Sequence, residues 1–148
     1  MVSEIGKRIL VGVIATFIFC VALAIFAYTP FSNRESNTAY ISLSGFFIIS
    51  AIYSGPVFII AGVIWSFVID KISVKHENYS RGKKYLSKFI CYILAGIVST
   101  LIFLYIITTG DISYKSDTFS ILAVGIIASL LYYHLQLIRQ YLAYQILN

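Results

Sequence analysis

The chain has 148 residues, 59% of them apolar and only 11% charged, with a formal net charge of +5. An ordinary soluble domain carries roughly 25% charged residues, so this chain lacks the polar groups to cover a water-facing surface. Its length fits one compact helical unit, read as a single integral membrane domain over residues 1–148.

Uncharged apolar runs cover residues 9–33, 36–69, 89–110 and 118–138, apart from His134 in the last. A helix rises about 1.5 Å per residue, so roughly 20 residues cross a hydrocarbon core about 30 Å thick. Each run is long enough. In lipid every backbone N–H and C=O must find a partner within the protein, so spans are helices or closed barrels. Barrel strands alternate apolar and polar residues, and Ile9-Leu10-Val11-Gly12-Val13-Ile14 does not. The expected class is therefore all-α: a polytopic membrane protein folded as a four-helix antiparallel transmembrane bundle. Its spans are expected at about 9–28, 42–69, 89–108 and 118–139, with a basic loop at 70–86.

Lys7 and Arg8 precede the first span. Ala22-Leu23-Ala24 fits a signal-cleavage pattern, but the apolar run continues to Tyr28, longer than the 7–15 residues usual for a signal core. The first run reads as an uncleaved span, ended by Pro30 and the polar segment Ser32–Thr38. The second span contains Ser54-Gly55-Pro56. Pro56 has no N–H to give the carbonyl four residues back, which predicts a kink there. At 100° per residue, Ser44, Ala51, Gly55, Gly62 and Ser66 fall on one stripe of this span. The loop after it holds Asn78-Tyr79-Ser80, a chance glycosylation sequon in this setting, and His76, a solvated histidine without ligand partners.

Span three carries a ladder of Cys91, Ala95 and Ser99, with Gly96 and Thr100 beside it. Span four aligns Thr118, Gly125, Ser129, Tyr132, Gln136 and Arg139 on one face. Small residues let helix backbones approach closely in lipid. Gly55, Gly62, Ala95, Ser99, Gly125 and Ser129 are the expected packing positions. Tyr53 and Tyr92 fall deep in their spans, where each hydroxyl needs a partner within the bundle. His134 lies opposite the polar stripe and near Arg139, which reads as an interfacial histidine rather than a proton relay. Tyr132, Gln136 and Arg139 frame a candidate recess facing the cytoplasm, with Ser66 or Tyr92 as expected partners for Gln136.

Lys and Arg stay on the cytoplasmic side during insertion. The N-terminus (Lys7, Arg8), the central loop (Lys71, Lys75, Arg81, Lys83, Lys84, Lys88) and the tail (Arg139) hold nine cations; the other two loops hold only Arg34 and Lys115. Both termini and the central loop are expected inside, and four spans return the chain to its starting side. Orientation explains the net charge without nucleic acid. Arg81, Lys83, Lys84 and Lys88 could also hold anionic lipid, at roughly 1 kcal/mol per cation near the surface.

Cys20 and Cys91 both fall in apolar runs, and neither forms a Cys-x-x-Cys motif; they read as small packing residues. Isoleucine is abundant and Lys outnumbers Arg seven to four, the usage of an AT-rich genome. In plan, the chain resembles the small uncharacterised four-span membrane proteins of low-GC Gram-positive bacteria. The resemblance rests on Lys7-Arg8, the even span count, Ser54-Gly55-Pro56 and the basic central loop; it carries no known activity. It implies a multi-pass protein of the bacterial cytoplasmic membrane.

No His-Glu-x-x-His, Gly-x-Ser-x-Gly, phosphate loop or paired intramembrane carboxylates occur. The expectation is a non-enzymatic protein without cofactor or metal, acting by binding another membrane component in an immunity or accessory role. Its partners would be the bilayer, anionic lipids at the cytoplasmic face, and a membrane protein or a second copy of itself. The alternative is a holin-like pore or small transporter subunit that works as an oligomer.

Overall fold

The computed structural model describes residues 3–36, 38–74, 80–107 and 117–147, and every element among them is helical. Five α-helices succeed one another in chain order: α1 (Glu4–Ala27), α2 (Leu43–Pro56), α3 (Gly62–Val74), α4 (Arg81–Ile107) and α5 (Asp117–Leu147). A π-helical turn, Val57–Ala61, joins α2 to α3, so the two form one span. Four helices are thus long and apolar enough to cross a membrane, at 24, 31, 26 and 27 residues. Residues 108 to 116, within which the second outward connection is expected, His76 and the first two residues of the Asn78-Tyr79-Ser80 sequon lie outside the described residues, as do the side chains of Arg81 and Thr118.

Local chemistry sets the ends. Ser3 caps α1, its hydroxyl accepting from the Gly6 N–H at 3.1 Å. Ser42 caps α2 by the same contact with Gly45, also at 3.1 Å. Each satisfies one of the N–H groups that a helix start leaves unpaired. Three residues after α1 ends comes Pro30. Arg34 then folds back over Phe31, its guanidinium 4.3 Å from the ring centre, and donates to the Thr29 carbonyl. The helices reach further than the apolar runs at one end of the bundle. α1 begins at Glu4, α3 continues to Val74, α4 begins at Arg81, and α5 runs to Leu147. Much of the expected 70–86 loop is therefore helix.

Pro56 does not end its helix. The backbone passes straight into the π turn, whose wider i→i+5 ladder absorbs the missing donor. This turn meets α1 closely: a Cβ on Gly12 would stand 3.2 Å from the Phe58 carbonyl oxygen. The small residues of this span face different neighbours, Gly55 meeting Thr16 on α1, Gly62 meeting Tyr132 on α5 and Ser66 meeting Arg8 on α1.

The helices close into a ring. α1 packs on α2 and α5, α5 on α4, and α4 on α3. Sequence neighbours run antiparallel: Arg8 near the start of α1 meets Asp70 near the end of α3, while Cys20 meets Ser54 on α2. Likewise Tyr85 at the start of α4 meets Tyr133 on α5, and Gly96 lies against Gly125 and Ser129. The outside of the bundle is apolar, and a few polar side chains lie inside among apolar ones. Arg8, Ser66, Thr100 and Gln136 are buried, whereas Phe26 is 91% exposed and Phe119 80%. Large apolar side chains ring the outside of all four long helices.

Candidate functional site

The buried charge of the described residues collects at one end of the bundle, where α1 begins and α3 ends. Arg8 is 7% exposed. One of its Nη atoms donates to the Ser66 hydroxyl at 2.6 Å, and the other to Asp70 Oδ2 at 2.6 Å. Its guanidinium lies 4.0 Å from the centre of the Phe67 ring. Lys88, arriving from α4, takes the other Asp70 oxygen at 2.9 Å. The Arg8 backbone carbonyl accepts from the Tyr132 hydroxyl at 3.3 Å, which ties in α5. Arg8, Asp70, Lys88 and Tyr132 thus link α1, α3, α4 and α5 in one polar network.

A second ion cluster lies beside the first. Glu4 accepts from Lys7 at 2.7 Å and faces Arg139 at 3.6 Å, an ion-pair distance too long for a hydrogen bond. Gln136 stands between Tyr132 and Arg139 along α5, one turn beyond the tyrosine on the same face. It is 4% exposed, and neither its amide nitrogen nor its amide oxygen has a hydrogen-bond partner. Arg8 Nε and Arg139 Nη1 are also buried without hydrogen-bond partners. Leaving such groups unpaired costs about 1–3 kcal/mol each.

Aromatic rings seal the network from the middle of the bundle. Tyr92 stacks on Tyr133 with centroids 4.8 Å apart, and Tyr133 donates to the Tyr85 carbonyl at 3.3 Å. Beyond them a cleft of about 80 Å³ opens among the π turn, α3, α4 and α5. Trp65, Tyr92, Gly96, Ser99, Ser129 and Tyr132 are among its walls. Its volume is about half the roughly 150 Å³ of an apolar cavity that holds benzene.

The positions singled out in the sequence are spread over this arrangement. A Cβ on Gly62 would stand 2.8 Å from the Tyr132 ring, and one on Gly96 only 2.5 Å from Ser129 Oγ. Gly125 faces Thr100 and the Gly96 carbonyl, so α4 and α5 cross with almost no side chain between them. Ala95 is buried, and Ser99 accepts from the Trp65 indole at 2.9 Å. Gly55 has a looser neighbour, Thr16 at 3.8 Å. Lys83 and Lys84 are exposed, whereas Lys88 turns inward to Asp70.

Two placements differ from the sequence reading, those of Gln136 and Tyr53. Gln136 has neither Ser66 nor Tyr92 as a hydrogen-bond partner, because Ser66 is taken by Arg8 and donates to the Val63 carbonyl. Tyr53 points outward, 56% exposed, with its ring against Phe103. Tyr92 is buried by ring stacking. His134 is exposed; one ring nitrogen contacts the Leu130 carbonyl at 2.7 Å and the other the Tyr85 hydroxyl at 3.4 Å. Asp70, the hinge of the network, is a site residue that the sequence reading misses. The signal is present: it is the carboxylate abutting the end of an apolar span, one turn after Ser66, at the end where most cations gather.

The arrangement holds charge and hydrogen-bond capacity rather than a nucleophile beside a base. Among the described residues no three His, Cys, Asp or Glu side chains come together. No protein-family model matches the chain, and neither a curated protein nor a solved structure matches it.

Proposed function

We propose that this chain is a multi-pass protein of a bacterial cytoplasmic membrane, with both termini and the 70–86 connection on the cytoplasmic side. It acts without catalysis, by binding another membrane component in an immunity or accessory role. The apolar exterior of the four long helices supports insertion into lipid. The nine-to-two division of cations supports the orientation. The observation that carries the binding role is Gln136, buried with both amide atoms unmet, one turn of α5 before Arg139. All this unused capacity lies at one end of the bundle, while Val11, Ala15 and Phe19 fill the interior along α1. That pattern fits a protein that holds something at its cytoplasmic end rather than one that passes something through itself.

The alternative, a holin-like pore or transporter subunit formed by several copies, draws on the cleft, whose walls include Ser99, Thr100 and Ser129. Inducible expression with a membrane-potential dye, paired with affinity capture in mild detergent, separates the two. Retained potential with one co-purifying membrane component supports the binding role. Rapid depolarisation on expression overturns it in favour of the pore.

A further inference from the structure

We propose that the Gln136–Arg139 end of α5 is a site for a phosphate anion, carried by a lipid headgroup or free in solution. The inference rests on the reading of this end as a binding site and names the chemistry it would take.

The first argument is charge. Asp70 is shared by Arg8 and Lys88, and Glu4 is shared by Lys7 and Arg139. Four cations therefore face two carboxylates, with two positive charges left over across two neighbouring clusters. Arg8 is almost fully buried, and the side chains of Lys88 and Arg139 are only 25% and 21% exposed. Water screens such charges poorly, which favours an added anion.

Unused hydrogen-bond donors make the second argument. Arg8 Nε, Arg139 Nη1 and Gln136 Nε2 are three donors without hydrogen-bond partners. Guanidinium groups match the geometry of phosphate oxygens and bind them through charge-assisted hydrogen bonds. Gln136 Oε1 adds one acceptor, suited to a hydroxyl of a headgroup such as glycerol.

Access is the third argument. These atoms are buried as the structure stands, and the loosest ion pair among the described residues, Arg139 to Glu4 at 3.6 Å, is made by one of them, Arg139 Nη1. Glu4 is 58% exposed and holds Lys7 more tightly, at 2.7 Å. An incoming phosphate displaces Glu4 from Arg139 and takes up Arg139 Nη1 and the Gln136 amide one turn away on α5. Glu4 is then a competitor for the site, so removing its charge should strengthen binding.

The test uses the full-length chain in an uncharged detergent at fixed ionic strength. The unfolding midpoint is read against inorganic phosphate balanced with chloride, and against phosphatidylglycerol compared with phosphatidylcholine in mixed micelles. A rise in midpoint with phosphatidylglycerol but not inorganic phosphate assigns the site to a headgroup; a rise with both assigns it to the phosphate group alone. Gln136→Leu and Arg139→Gln should each weaken the apparent affinity about tenfold or more, the loss of one charge-assisted hydrogen bond. Glu4→Gln, at an exposed position that does not threaten the fold, should tighten it several-fold. No shift of the unsubstituted protein with either ligand overturns the site. So does an equal shift in the double variant Gln136→Leu, Arg139→Gln, or weaker binding by Glu4→Gln. Should the shift be absent while a membrane partner is still captured, the phosphate site fails and the binding role proposed above stands.

Discussion

Arg8 and Asp70, 62 residues apart in the chain, meet at 2.6 Å and join the first long helix to the second. Lys88 joins the same carboxylate from the third long helix. Asp70→Asn should therefore strand two cations at once. Breaking a buried pair on one side costs about 3–5 kcal/mol, and because the Asp70 side chain is 33% exposed we expect nearer 2 kcal/mol. Thermal unfolding in detergent would measure it. Arg8→Met combined with Asp70→Asn should cost less than the sum of the two single changes, by about 1 kcal/mol. Strict additivity would show that the contact carries no energy.

Four apolar helices are legible in the sequence because nothing but hydrophobic length is needed to see them. The small-residue positions are legible for a related reason: glycines such as Gly96 and Gly125 permit backbones to cross closely, and here they do. The polar end is harder to read. Arg8 looks like one of nine cations that set orientation, and only the fold shows it turned inward onto Ser66 and Asp70. A periodicity of 100° per residue also assumes a regular helix. The π turn after Pro56 breaks that regularity, and Gly55 and Gly62, which share a stripe on paper, meet α1 and α5 in the fold.

The Gly62–Tyr132 contact gives a second prediction. Leucine at position 62 would drive its side chain into the Tyr132 ring, already 2.8 Å from a Cβ there. Ile60 is 61% exposed, so Ile60→Leu changes little. Overpacking typically costs about 1–3 kcal/mol. Gly62→Leu should accordingly lower the unfolding midpoint and Tyr132→Ala should partly rescue it, while Ile60→Leu unfolds like the parent. Equal midpoints for the two single variants would contradict the close approach of α3 and α5.

Orientation can be read chemically. Ser36 and Ser80 are both exposed and lie at opposite ends of the second span. A Cys91→Ala background leaves Cys20, which is fully buried, as the remaining native thiol. With a membrane-impermeant maleimide on intact cells, Ser36→Cys should label at once. Ser80→Cys should label only after the membrane is opened. External labelling at position 80 with protection at 36 would invert the topology.

Trp65 is the chain's single tryptophan, and it bridges α3 to α4 through Ser99 at 2.9 Å on the wall of the cleft. Its fluorescence therefore reports this one helix contact. Ser99→Ala removes the acceptor and leaves the indole N–H unpaired, at a cost of about 1–3 kcal/mol. The emission maximum should move to shorter wavelength as the hydrogen bond to the excited indole is lost. Trp65→Phe removes the donor instead, so adding it to Ser99→Ala should cost little beyond the lost ring packing, and the pair should be clearly non-additive. Unchanged emission in Ser99→Ala, together with additive midpoints, would mean that α3 and α4 are not joined at this point and that the cleft between them is wider than the structure shows.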